Sequence, residues 1–386
     1  MSNVVYLDNN ATTRVDPAVV ESMMPFFTER YGNPSSMHVF GGGVHAEVEK
    51  ARAKIAALIH ADPSEIVFTS CGSEADNMAI FGAVETLGRD TTIITSRVEH
   101  PAVLQPCREL RDRGYNLIEV GVMADGTLDI DAYSAALSTP GKKFVTLMWA
   151  NNETGVIFPI KQAAEKAMAA GAVFHTDAVQ AVGKLAEVNM AEVPVNMLSL
   201  SGHKLHAPKG VGVLYIRRGT RMKSFLRGGH QERGLRAGTE NVPYIVGLGT
   251  AAELAMEEMH NDMPRIAAMR DRLEAGLLKC PDAIVNGSRK LRLPNTLNIS
   301  FEYIEGEAIL YHLSDAGICA SSGSACTSGS LEPSHVIRAM GVPFTAVHGS
   351  IRFSFSKYNV ESDVDHVLSV VPGVVDKLRK LSPFVA

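Results

Sequence analysis

The chain has 386 residues, 46% of them hydrophobic and 20% charged, with a formal net charge of −5 at pH 7. That length exceeds one small core, and an acidic balance offers neither nucleic acid nor an anionic membrane the basic surface field that each requires. No apolar run approaches the roughly 18 residues of a membrane span, and Met1-Ser2-Asn3-Val4-Val5-Tyr6 lacks the regions of a secretory signal, so the expected location is the cytoplasm. Cys71, Cys107, Cys280, Cys319 and Cys326 form no CxxC pair, which predicts free thiols rather than a disulfide framework or a zinc site.

Strand and helix signals alternate along most of the length, which predicts an α/β fold with a mainly parallel sheet covered on both faces. Near the start, Tyr6-Leu7-Asp8-Asn9-Asn10-Ala11-Thr12-Thr13 is a polar loop that either caps neighbouring backbone or lines a site. Helices are expected from Pro17 to Arg30, with Asp16 as N-cap, and from Val44 to Ile59. The strand Ile66 to Ser70 then leads through Cys71-Gly72-Ser73 into an apolar-periodic helix. Such a turn gathers unpaired N–H groups for an anion; Gly72 lets a phosphate approach, and Ser73 either contacts it or serves as the N-cap. The strand Thr91 to Ser96 ends near His100, before a proline-started helix, at the carboxyl edge where doubly wound sheets bind ligands. A lone histidine there is structural or functional. Lys143 to Trp149 is the next strand, and it empties into the polar Asn151-Asn152-Glu153-Thr154.

The strand beginning at Ala172 finishes at Asp177, with Gln180 three residues on. Asp177 either caps local backbone or meets a cation, since an unpaired buried carboxylate is costly. Asn196 to Leu200 is another short apolar strand, followed by Ser201-Gly202-His203-Lys204 and the strand Val211 to Ile216. Burial just after a strand lowers a lysine's pKa and makes its amine a Schiff-base nucleophile. The glycine-rich run from Arg227 to Asn241, with Thr239 near its end, reads as a clasp for an anion or a second subunit. Helices at Pro243 to His260 and Pro264 to Lys279 follow, with a unit boundary between them. The last third reads as α+β, with strands at Thr296 to Phe301 and Ser350 to Phe355 and a helix from Gly306. Arg352 within the last strand meets either a substrate carboxylate or an internal acid. Cys326 lies at the centre of a Ser, Gly, Ala and Thr run, expected to be a mobile loop that exposes its thiol.

Taken together, YLDNNATT, TSCGSEADN, VEHPAV, MWANNETG, FHTDAVQAVGK, SLSGHKLHAPKGVGVLY, GGHQERGLRAGTEN and SGSACTSGSLEPSHV resemble the cysteine desulfurases, and among them the nitrogen-fixation type. The resemblance runs from Tyr6 to about Tyr358. It implies the fold-type-I arrangement of pyridoxal 5'-phosphate (PLP) enzymes: a large domain over 14–260 with a mostly parallel seven-stranded sheet, and a small α+β domain from 1–13 and 261–386. It further implies a homodimer, L-cysteine as substrate, and an iron-sulfur scaffold protein as sulfur acceptor. By motif, Lys204 holds PLP as a Schiff base, Asp177 pairs with the ring nitrogen, Gln180 bonds the ring hydroxyl and His100 stacks on the ring. Gly72, Ser73, Ser201, His203 and a neighbouring subunit's Thr239 hold the phosphate. Asn152 and Arg352 take the substrate carboxylate, and Cys326 accepts the sulfur as a persulfide while alanine leaves. A selenocysteine lyase or another enzyme of the same fold would share the cofactor residues; an aminotransferase has no use for the thiol of Cys326. An idle sulfur-carrier or assembly scaffold would keep the fold and bind no PLP.

Overall fold

The computed structural model describes residues 4–322 and 333–382. In chain order its strands are β1 (Val5–Tyr6), β2 (Ile66–Thr69), β3 (Thr91–Ser96), β4 (Asn116–Val120), β5 (Lys142–Met148), β6 (Val173–Asp177), β7 (Met197–Ser201), β8 (Gly212–Ile216), β9 (Ala283–Val285), β10 (Thr296–Phe301), β11 (Ile318–Cys319) and β12 (Ser350–Ser354). Seven of them form one sheet in the order β2-β8-β7-β6-β5-β3-β4. All run parallel except β8, which is antiparallel to β2 and β7 on either side. The expected mostly parallel seven-stranded sheet is therefore present.

These strands read as continuous apolar runs because both sheet faces are covered. Successive side chains point to opposite faces. Val67, Ile93, Phe144 and Leu214 pack under the helices Gly72–Leu87 and Pro101–Asp112, while Ile66, Phe68, Ile94, Val145 and Val213 feed the larger core on the other face. A separate cluster joins Val5 and Leu7 to β10, β12, the C-terminal helix Glu361–Leu381 and the far half of a long helix. There β12, β10 and β9 make an antiparallel sheet, and β1 pairs in parallel with β11.

Three helices differ from the sequence reading. Pro25 divides the first into Pro17–Met23 and Pro25–Thr28, although Asp16 does cap it by accepting from the Ala18 N–H at 2.9 Å. The second begins earlier, at Val39, because His38 Nδ1 accepts from the Gly41 N–H and caps it. The two helices expected around Pro264 are one, Val242–Leu277, of 36 residues. Proline costs a helix one i→i−4 hydrogen bond. Here buried Ile245, Leu248 and Ala252 fix the first half in one core, and Ile266, Met269 and Leu273 fix the second in the other, so packing on both sides holds the rod continuous.

Candidate active site

Parallel strands share a carboxyl edge, and the ends of β2, β3, β5, β6 and β7 open there on one cavity of about 430 Å³. Gly72, Ser73, His100, Asn152, Asp177, Gln180, Ser201, His203 and Lys204 line it, all from the sheet edge, and Arg352 of β12 lines it with Asn10 and Ala11 from the opposite side. Thr239 is exposed and lies outside this lining. Cys326 lies outside the described residues.

Lys204 ends a short turn, Gly202–Lys204, directly after β7. Its Nζ donates to the carbonyls of Asn10 and Ala11, both at 2.7 Å. Carbonyls orient an amine without neutralising it as a carboxylate would. The polar loop near the N-terminus is thus the seat of this lysine, the second of the two roles open to it.

Asp177 is 7% exposed, and one of its oxygens accepts from the Val179 N–H at 2.9 Å. Burial raises its pKa to about 6, opposed by that N–H and by the charge of Lys204. Beneath it His175 is fully buried between Thr146 Oγ1 at 2.8 Å and Ser199 Oγ at 2.9 Å. Burial holds the pKa of His175 down at about 3, so the ring is neutral. Asp76 lies 3.7 Å from His175 Nε2. Burial first, then the nearby charge of Asp177, raises Asp76 well above the ordinary carboxylate range. The two acids share one buried region, and the charge of Lys204 favours the ionised form of Asp177, the one of the pair that faces it.

His100 caps the helix Pro101–Asp112, its Nδ1 accepting from the Ala102 N–H at 3.1 Å. An accepting Nδ1 assigns the ring proton to Nε2. Burial, then the charges of Lys204 and His335, lower its pKa to about 4 and leave a neutral flat ring at the cavity.

At the other end, the helix Gly72–Leu87 starts at the cavity, and its N-cap is Cys71 rather than Ser73, with no side-chain cap bond. Its first N–H groups are therefore open to an anion. A Cβ on Gly72 would come within 2.9 Å of Val179 Cγ2 and 3.3 Å of Ser201 Cβ, so glycine keeps this cradle open. Ser201 Oγ is buried with no hydrogen-bond partner among the described residues. His203 stands beside it, held neutral by burial at a pKa of about 4. An orphan hydroxyl, an uncapped helix start and an ionised acid across the cavity fit the phosphate and ring nitrogen of PLP.

Arg352 is 2% exposed, and it satisfies the salt-bridge reading: Nη2 donates to Asp8 Oδ1 at 2.7 Å and Nη1 to the Asn152 carbonyl at 3.0 Å. Its Nε has no partner among the described residues, so it retains donors for an anion in the cavity. Glu153, beside it, has its pKa raised to about 7 by burial, opposed by a hydrogen bond from Ser334 and the charge of Arg352.

Sequence reasoning passed over Asn10, Asp76, Glu153 and Lys184. Asp76 had a readable signal, since it follows Gly72 by one helical turn and shares the inward face of Ala75 and Ala79. Lys184 had none: its Nζ donates to Gln180 Oε1 at 2.9 Å, a contact that residue types alone do not announce.

Comparison with known proteins places these features in context. Residues 5–367 match the family described as Aminotransferase class-V. A cysteine desulfurase of Gluconacetobacter diazotrophicus is 60% identical over 385 residues, covering 99% of this chain and 96% of that protein. The cysteine desulfurase NifS of Azotobacter vinelandii is 56% identical, covering 98% of this chain and 94% of its own. A solved NifS-like protein superimposes with a TM-score of 0.91 at 39% identity, covering 97% of this chain and all of the other.

Proposed function

This chain belongs to the class-V aminotransferase family, and we propose that its cavity works as the active site of a PLP-dependent cysteine desulfurase, converting L-cysteine to L-alanine and a persulfide. The observation that carries this reading is Lys204, seated on two carbonyls in a cavity that it shares with the buried carboxyl of Asp177.

Lys204 would hold the cofactor through Nζ, Asp177 would be the counter-ion of its ring nitrogen, and Gln180 would give an N–H to its ring hydroxyl. The start of the helix Gly72–Leu87, with Gly72, Ser73, Ser201 and His203, takes the phosphate. When bound, PLP supplies an electron sink at the substrate Cα. Neutral His100 covers the ring. Asn152 and Arg352 would orient the substrate carboxylate, and Lys204 Nζ would move the proton at Cα. The Cys326 thiolate attacks the substrate sulfur. An S–S bond forms as the Cβ–S bond breaks, the electron pair passes to Cβ and is protonated, and alanine leaves with Cys326 carrying the extra sulfur. The thiol and cysteine together balance the persulfide and alanine, so no outside oxidant enters.

The same proposal includes a large unit of 14–260 and a small unit of 1–13 with 261–386, supported by the separate core that unites Val5 and Leu7 with the C-terminal third. It also includes a cytoplasmic homodimer, in which the exposed Thr239 of one subunit completes the neighbour's phosphate site, and an iron-sulfur scaffold protein, serving nitrogenase maturation, as the sulfur acceptor. No described helix is long and apolar enough to cross a membrane.

Incubation with L-cysteine and PLP tests the reading. Alanine should form, and mass spectrometry should find one extra sulfur on Cys326. Cys326→Ala should bind PLP and release no sulfide. A persulfide on Cys71, or undiminished alanine formation by Cys326→Ala, would assign the sulfur chemistry elsewhere.

A further inference from the structure

Behind the cavity wall a second lysine joins the same hydrogen-bond chain. Lys184 Nζ donates to Gln180 Oε1 at 2.9 Å, and the other end of that carboxamide, Nε2, donates to the Asn10 carbonyl at 3.1 Å. That carbonyl is also the one that receives Lys204 Nζ at 2.7 Å. An ammonium has only donors, so the Gln180 atom it holds is the oxygen. The carboxamide cannot turn over without setting donor against donor. Its NH₂ is thereby fixed toward Asn10, with one N–H left for the cavity that Gln180 lines.

Among the described residues, Lys184 has no carboxylate within ion-pair distance. A small cavity of about 50 Å³ separates it from Glu258 and Asp262 of the long helix. Glu258 already pairs with Lys357 at 2.6 Å, and Asp262 with Arg265 at 3.2 Å. The other charged or titratable groups around it are His203, Lys204 and His206 after β7, and Arg352 and Lys357 at and beyond β12. Burial, then the like charges of Lys204 and Arg352, lower the Lys184 pKa to about 7.

We propose that Lys184 is a positioning residue for Lys204: it locks Gln180 with an N–H toward the cavity and sets a second amine one carboxamide and one shared carbonyl away from the Lys204 nitrogen. This rests on Lys204 holding the cofactor. The linkage runs both ways, since a cation at one end of the chain disfavours a cation at the other.

The test is a pH titration of the visible absorbance of the PLP-loaded enzyme, with no substrate present. Lys184→Met removes charge and donor, Lys184→Gln removes the charge and keeps a donor, and Lys184→Arg keeps both. The midpoint should rise by about one pH unit in Lys184→Met and Lys184→Gln and return to the wild-type value in Lys184→Arg. If Lys184→Met does not fold, the Gln and Arg variants carry the comparison alone. An unchanged midpoint in a folded, PLP-loaded variant without the charge overturns the proposal. Borohydride reduction of the wild type reports on the premise separately: a cofactor fixed to another lysine overturns the reading of the site, and the role of Lys184 with it.

Discussion

Four carboxyl groups at or just behind the cavity hold their protons unusually well: burial raises Asp177 to about 6, Glu153 to about 7 and Glu99 to about 8, and it raises Asp76 as well. Each folded value lies above the unfolded one, so its stabilising contribution is complete below about pH 4 and fades as pH rises through 6 to 8. Lys184 works in the opposite sense, because its lowered value adds stability above pH 7 relative to below it. A comparison that changes one group separates them. Glu99 is fully buried, with Ser96 Oγ donating to Oε1 at 2.6 Å and Oε2 unpartnered among the described residues. The Tm of Glu99→Gln in the cofactor-free protein, relative to wild type, should rise by a few degrees between pH 5.5 and pH 8.5. A difference independent of pH would contradict this. Lys204→Ala should still bind PLP through its phosphate but lose covalent attachment, read as the loss of borohydride-stable label. Asp177 and Lys204 were legible in the sequence because a charged residue at the end of an apolar strand is itself an anomaly. Lys184 was not, because its partner is set by a tertiary contact and a Lys within a turn is unremarkable alone, whereas Asp76 was readable only from its place on the inward face of the helix after Gly72.

Among the elements, β2 is an edge strand of the main sheet, and such an edge leaves backbone groups open to unwanted pairing. Here side chains occupy it. Glu232 accepts from the Phe68 N–H at 2.9 Å, while Arg52 at 2.8 Å and Arg233 at 2.7 Å donate to the Ile66 carbonyl. Glu232 and Arg52 also pair through both guanidinium nitrogens, both contacts at 2.8 Å and both side chains buried. Holding them there places Glu232 and Arg233 at φ of 45° and 58°, a left-handed backbone that non-glycine residues rarely adopt. Glu232→Ala would leave the buried Arg52 with only the part-exposed Glu49, 3.0 Å from its Nε, as a charge partner, at a cost of about 3 kcal/mol, and Glu232→Gln should cost less. Urea melts of the two variants check the order, and equal midpoints would remove Glu232 from this role. Strands β2, β3, β5, β6, β7, β8, β10 and β12 were legible from apolar runs and turn residues, to within a residue or two at their ends, whereas β1, β4, β9 and β11 were not, being short or only partly buried. This edge seal was not, since Arg52 and Glu232 stand 180 residues apart and each reads as a surface charge. The unbroken helix through Pro264 was hidden for a related reason: local chemistry argued for a stop, and two cores overruled it.

For the whole molecule, the exposed position of Thr239, away from its own cavity, makes shared sites testable by mixing subunits. Lys204→Ala and Thr239→Asp should each be nearly inactive as homodimers. Unfolded and refolded together, they should recover about a quarter of wild-type activity, because random pairing leaves one intact site in half the dimers. No recovery despite confirmed heterodimers would mean that Thr239 serves its own subunit. The order of the strands bears also on how the molecule is made. Val5 and Leu7 are buried in the last core, and β1 finds its partner at Ile318 and Cys319, about 310 residues further along. At synthesis rates of roughly 5–20 residues per second, this apolar opening segment waits on the order of 15–60 s for the strand that will shelter it. Pulse-labelled ribosome complexes should therefore find the backbone around Val5 and Leu7 protease-sensitive until the final third has emerged.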